Sequence, residues 1–136
     1  AAGSRSAAAA AAPRGKQVLT VVLTGGPCGG KTSALDSLRS SLGERGVRVF
    51  TVPEVPSIVI NAGAAYPGLE SPALFPFERS MINAQMALEQ ALLDIASAHD
   101  GPTAVVMDRG VLDIAAYLPP EVWSAVLSDA GVREED

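Results

Sequence analysis

Gly25-Gly26-Pro27-Cys28-Gly29-Gly30-Lys31-Thr32 matches the spacing G-x-x-x-x-G-K-[ST] along its whole length. Each residue type in that spacing has its own physical task. Glycines at 25, 26, 29 and 30 carry no Cβ, so the backbone can enter φ > 0 and lie against a polyphosphate. Their peptide N–H groups then converge as an anion nest. Lys31 can reach the β- and γ-phosphates of a nucleoside triphosphate, ATP or GTP, and the Thr32 hydroxyl can bind Mg²⁺. Ser33 follows in the first turn of the helix that this loop opens, whose positive end faces the anion. Cys28 reads as a small residue that fits the bend; a redox-sensitive thiol beside Lys31 is the alternative.

The flanks supply the context this spacing requires. Gln17 to Thr24 is an apolar, β-branched run suited to a buried parallel strand. Lys31 to Leu42 places Leu35, Leu38 and Leu42 on one helical face, with Gly43 as the expected stop. Further along, Val47 to Val52 reads as a second strand that Pro53 ends, with Glu54 just beyond. A short helix is expected over residues 57–65, and a breaker-rich loop from Tyr66 to Pro72. Phe77 to Ala98 is the longest helical pattern, with Phe77, Met81, Ala84, Leu88, Ala91, Leu92 and Ile95 as its apolar stripe. Thr103 to Met107 reads as a third buried strand ending on Asp108. Residues 111–118 are expected to be helical, and Pro120 to Ala130 forms a last helix before Gly131.

Strands alternating with helices predict an α/β domain with a parallel sheet. Ligands in such sheets sit at the carboxyl ends of the strands. Those ends are the phosphate loop, Glu54 and Asp108. Asp108 stands where an NTP-binding fold needs a carboxylate for Mg²⁺; the alternative is a strand-end cap for the next helix. Arg109 suits a phosphate or substrate contact, or a salt bridge to an acid such as Asp113. Glu54 could accept the proton of a substrate hydroxyl that attacks the γ-phosphate, or orient that substrate; the alternative is a solvated loop acid. Arg79, Asn83 and Gln85 on the long helix are either substrate-facing or its wet face. His99 ends that helix, where a cation would suit the dipole. Trp123 with Val122, Val126 and Leu127 reads as packing surface.

Composition narrows the partners. The chain has 136 residues, room for one domain, and no apolar run approaches the ~20 residues of a membrane span. Residues 1–16 carry Arg5, Arg14 and Lys16 and no acid, whereas the remainder carries 7 Lys+Arg against 15 Asp+Glu. So acidic a body argues against nucleic acid as the main partner. One cysteine permits no internal disulfide and fits a reducing compartment. Residues 1–16 read as a disordered low-complexity tail before a phosphate-binding domain over residues 17–136. The expected location is the cytoplasm, or an organelle if the tail is a transit-peptide remnant.

A GTPase switch would show D-x-x-G where this chain has Asp108-Arg109-Gly110-Val111, and a motor-type ATPase would follow its aspartate with Glu. Small-molecule kinases tolerate the observed pattern. Taken together, Leu23 to Thr32, Val52-Pro53-Glu54-Val55, Ile60 to Ala64 and Asp108 to Tyr117 resemble the AAA-type P-loop domain of the NadR and TRP-like channel translocation-defect group. The resemblance runs from about Val18 onward. It implies a kinase-like P-loop NTPase fold with strand order 2-3-1-4-5. The bacterial branch implies phosphoryl transfer to a nucleoside-like acceptor, nicotinamide riboside. The eukaryotic branch implies GTP binding, phosphoinositide binding and a trafficking role, and the Val-Pro-Glu and Asp-Arg-Gly pieces resemble that branch more. Members continue with two more strands, an arginine-bearing lid and a base-gripping loop. These would fall beyond Asp136, so the chain alone is expected to expose the edge of its first strand, fold marginally and bind nucleotide weakly. Pro56 is expected to delay the helix after Glu54.

Overall fold

The computed structural model describes residues 17–24, 30–109 and 111–133. The tail over residues 1–16 and the phosphate-loop residues Gly25, Gly26, Pro27, Cys28 and Gly29 lie outside the described residues. Three strands form one parallel sheet: β1 (Val18–Leu23), β2 (Arg48–Val52) and β3 (Thr103–Asp108). Their spatial order is β1-β3-β2, so β3 is central and pairs in register with both neighbours. Between them run α1 (Lys31–Glu44), α2 (Val55–Asn61) and α3 (Leu74–Ala98). A 3₁₀ segment (Val111–Tyr117) and α4 (Pro120–Ala130) follow β3.

Chain order and strand order together assign the layers. The crossover β1-α1-β2 steps across the sheet one way, and β2-α2-α3-β3 steps back. Right-handed crossovers therefore put α1 and α3 on opposite faces. A β3 covered on both faces has to be apolar throughout. Ala104, Val105 and Val106 are fully buried and Met107 nearly so. Val105 and Met107 join Val52 and Ala96 in one core cluster, packed against Leu88, Leu92 and Leu93 of α3. A second cluster, around the N-terminal half of α3, gathers Leu74, Ile82, Leu118, Trp123, Val126 and Leu127. Trp123 and its neighbours are thus packing surface, as their spacing on α4 predicts. α3 is 25 residues long, and its one buried stripe meets α4 along the N-terminal half and the sheet along the C-terminal half.

Several boundaries differ from the sequence reading. α1 runs through Gly43 to Glu44, with Arg45 as its C-cap and Gly46 beyond it at φ 76°. None of its residues is fully buried, because this helix covers a narrow sheet. The helix after Glu54 starts at Val55 rather than 57, and Pro56 does not delay it. Proline in a first turn removes an N–H that has no intrahelical acceptor, so it is tolerated there. α3 begins at Leu74, three residues early, with Pro76 in its first turn. Its stripe is also rotated from the expected one. Ala84 and Ala91 are exposed and Ile95 is 54% exposed, while Glu78, Ile82, Gln85 and Ala96 are buried. β1 is not a buried strand: it pairs only with β3 among the described residues, and Leu19 and Val22 are about half exposed. At α4 the match is to the residue, with Gly131 at φ 68° closing the helix in the left-handed region.

Candidate functional site

The carboxyl ends of the three parallel strands lie on one edge of the sheet, and the chain delivers its reactive residues there. β1 stops at Leu23, immediately before the glycine-rich stretch. α1 then opens at Lys31, with Gly30 as its N-cap at φ 74°. Only glycine takes that conformation without cost, so the motif glycine at 30 is where the backbone needs it. Ala34 N–H donates to the Gly30 carbonyl at 3.0 Å, the first rung of the helix. Lys31 is half-buried and Thr32 and Ser33 are exposed in that first turn. The first N–H groups of a helix have no intrahelical acceptor, so this turn offers donors and a positive dipole end to an anion.

β2 ends at Val52, and Pro53 releases the chain so that Glu54 becomes the N-cap of α2. β3 ends at Asp108, and Arg109 takes φ 80°, the one non-glycine residue in the left-handed region among the described residues. Its N–H donates to the Leu23 carbonyl at 3.0 Å, which ties the exit of β3 to the exit of β1. An arginine held in that conformation is strained by about 1–2 kcal/mol, a cost typical of functional sites. What the conformation achieves is direction: Arg109 Nε lies 2.8 Å from Glu54 Oε1. Nε and Oε1 form a charge pair without the alignment of a good hydrogen bond. Arg109 thus forms a salt bridge with Glu54, across from the end of β2. Glu54 Oε2 accepts a long hydrogen bond from Ser57 Oγ at 3.5 Å.

Asp108 Oδ1 is buried and has no hydrogen-bond partner among the described residues. Such an orphaned carboxylate oxygen is costly unless something else completes it. It fits a cation, or a water held by one, better than it fits the capping role. No cluster of three metal-type ligands occurs among the described residues. One carboxylate and one hydroxyl suit Mg²⁺, which keeps most of its waters and takes further ligands from phosphate.

Two cavities meet at these residues. One, of about 330 Å³, lies between α1 and α2, bounded by Leu35, Thr51, Ser57 and Asn61. The other, of about 270 Å³, opens toward α3, bounded by Tyr66, Phe77, Glu78, Met81, Gln85, Arg109 and Asp113. Glu54 and Asp108 line both, so the two cavities adjoin at these residues. No residue of α1 borders the second cavity, which therefore extends away from the phosphate-loop side.

The polar residues of α3 part company here. Gln85 is buried on the cavity wall, its Nε2 donating to Glu89 Oε1 at 2.6 Å. Asn83 is exposed, and Arg79 pairs with Asp129 of α4 at 3.8 Å. His99 follows the last turn of α3, with Arg48 Nη1 3.0 Å from its Nε2. Sequence reasoning missed Glu78 as a cavity residue. Its signal was present, since an acid four residues after Leu74 and four before Ile82 falls on the buried stripe.

Residues 20–134 match the family described as AAA domain. The chain belongs to that family. Membership makes it a nucleotide-binding P-loop domain, a class that usually binds its nucleotide with Mg²⁺. The α/β fold with its parallel sheet agrees with this assignment. No curated protein and no solved structure matches the chain. Among the described residues no helix is long and apolar enough to cross a membrane.

Proposed function

We propose that this AAA domain transfers the γ-phosphoryl group of a nucleoside triphosphate to a small hydroxyl compound seated in the cavity toward α3. The observation that carries this reading is the shared border: Glu54 and Asp108 line both a cavity on the α1 side and one on the α3 side. A donor on one side and an acceptor on the other would meet at those residues.

Gly25, Gly26, Pro27, Cys28, Gly29, Gly30, Lys31, Thr32 and Ser33 supply the phosphate loop and the first helical turn. Lys31 and Arg109 hold the charge on the phosphoryl oxygens, an arrangement that stabilises the transition state electrostatically. Thr32 and Asp108 are the residues that would hold Mg²⁺. When bound, the cation neutralises charge on the β- and γ-phosphates. Glu54 accepts the proton of the acceptor hydroxyl as that oxygen bonds to the γ-phosphorus and the bridging bond to the β-phosphate breaks. A phosphate competing for Arg109 would free Glu54 Oε1 from its ion pair, so binding of the donor and release of the base are linked.

The competing reading is a non-catalytic GTP-binding adaptor that holds a phosphoinositide. Glu54, Glu78, Asp108 and Asp113 around one arginine make the α3 cavity a poor seat for a polyanion. Transfer of labelled γ-phosphate to a panel of nucleosides, nicotinamide riboside included, separates the two in the full-length protein. Turnover lost in Glu54→Gln with nucleotide affinity intact supports the kinase. Tight nucleotide binding with no transfer to any acceptor supports the adaptor.

A further inference from the structure

The cavity toward α3 has a polar group that the reaction does not use. Glu78 is 93% buried on its wall, being 7% exposed, and makes no hydrogen bond or ion pair to any described residue. It sits among apolar surfaces, with Tyr66 and Phe77 meeting edge to face at 5.9 Å between ring centroids and Met81 one turn along α3. Burial pushes the Glu78 carboxyl above the ordinary glutamate range. A molecule that fills the cavity takes water away from that carboxyl, so one that offers it a hydrogen bond binds better than one that does not.

We propose that Glu78 is a specificity-determining residue: it takes a hydrogen bond from the far end of a small, uncharged, ring-bearing alcohol whose hydroxyl lies at Glu54, and it rejects anionic molecules of the same shape. This deepens the reading of the α3 cavity as the acceptor site and rests on it. The two rings give a flat ligand its contact surface. Arg109, paired with Glu54, is the one cation among the residues lining the cavity, against the acids Glu54, Glu78, Asp108 and Asp113. A carboxylate or phosphate on the ligand's far end would meet the Glu78 carboxyl in a cavity where acids outnumber the one lining cation.

Three matched probes test this in the full-length protein without nucleotide, by ligand-observed NMR titration. They are 4-aminobenzyl alcohol, 4-methylbenzyl alcohol and 4-(hydroxymethyl)benzoate. The amine should bind about tenfold tighter than the methyl compound, the usual size of one satisfied buried polar group, and the benzoate should bind weakest. Glu78→Leu should erase the preference for the amine. Glu78→Gln, isosteric and uncharged, should bring the benzoate to within about twofold of the amine. Equal binding of all three probes to the wild-type protein, or an unchanged ranking in Glu78→Leu, overturns the proposal. The wild-type ranking needs no variant to fold, and the measurement needs no phosphoryl transfer. Loss of the kinase reading alone would therefore show as probe discrimination without turnover.

Discussion

Replacing Arg109 by glycine separates a structural role from a functional one. The residue stands at φ 80°, where a side chain costs about 1–2 kcal/mol that glycine does not incur. Its side chain is 27% exposed and its partner Glu54 29% exposed. A pair at that depth and without linear geometry contributes about 1 kcal/mol at most. The two effects oppose each other, so Arg109→Gly should unfold in urea within about 1 kcal/mol of the wild type. Arg109→Ala loses the pair and keeps the strain, and should be less stable than Arg109→Gly by about 1 kcal/mol. Affinity for Mg·ATP should behave otherwise. An arginine–phosphate contact contributes about 1.5–3 kcal/mol, so both variants should bind about 10- to 100-fold more weakly by calorimetry in the full-length protein. A loss of more than about 3 kcal/mol in Arg109→Gly would make the residue structural. Unchanged affinity in both variants would remove it from the phosphate clamp.

Four further outcomes are expected. Lys31→Ala should reduce Mg·ATP affinity at least about 100-fold while the circular dichroism spectrum stays the same; retained affinity would sink the phosphate-loop assignment. Ile82→Ala, at a fully buried position between α3 and α4, should cost about 2–5 kcal/mol in urea unfolding. The single tryptophan, Trp123, lies in the same cluster and reports that transition by fluorescence. Leu19→Lys with Val22→Lys should reduce self-association in sedimentation velocity and change stability by about 0.5 kcal/mol or less, because both side chains are about half exposed on an edge strand. The last concerns pH. Glu78 is pushed up by desolvation, so the folded state holds its proton more tightly than the unfolded chain. Stability then falls as pH rises from the ordinary glutamate value to the higher folded one, and is flat above. Glu78→Gln should therefore gain on the wild type across that window, with the gap closing in more acidic buffer; a gap independent of pH would show that Glu78 does not titrate in this way.

Local chemistry was enough to read much of this protein. The glycine spacing before Lys31, the apolar runs at β1 and β3 and the prolines and glycines between elements each act within a few residues. They determined the α/β class, the order of elements and the strand-end positions of Glu54, Asp108 and Arg109. What local chemistry could not contain was which side chains meet across the sheet. The strand-edge status of β1 depends on what pairs with it, and its own sequence reads as buried. Where the stripe of α3 falls depends on the elements it packs against, α4 along its N-terminal half and the sheet along its C-terminal half, so its own sequence misplaced Ile95 and hid Glu78. The pairing of Arg109 with Glu54 was made by one backbone angle and one hydrogen bond to Leu23. Residues 54 and 109 are far apart in the chain, and only parallel pairing of β2 and β3 brings their charges within reach of each other.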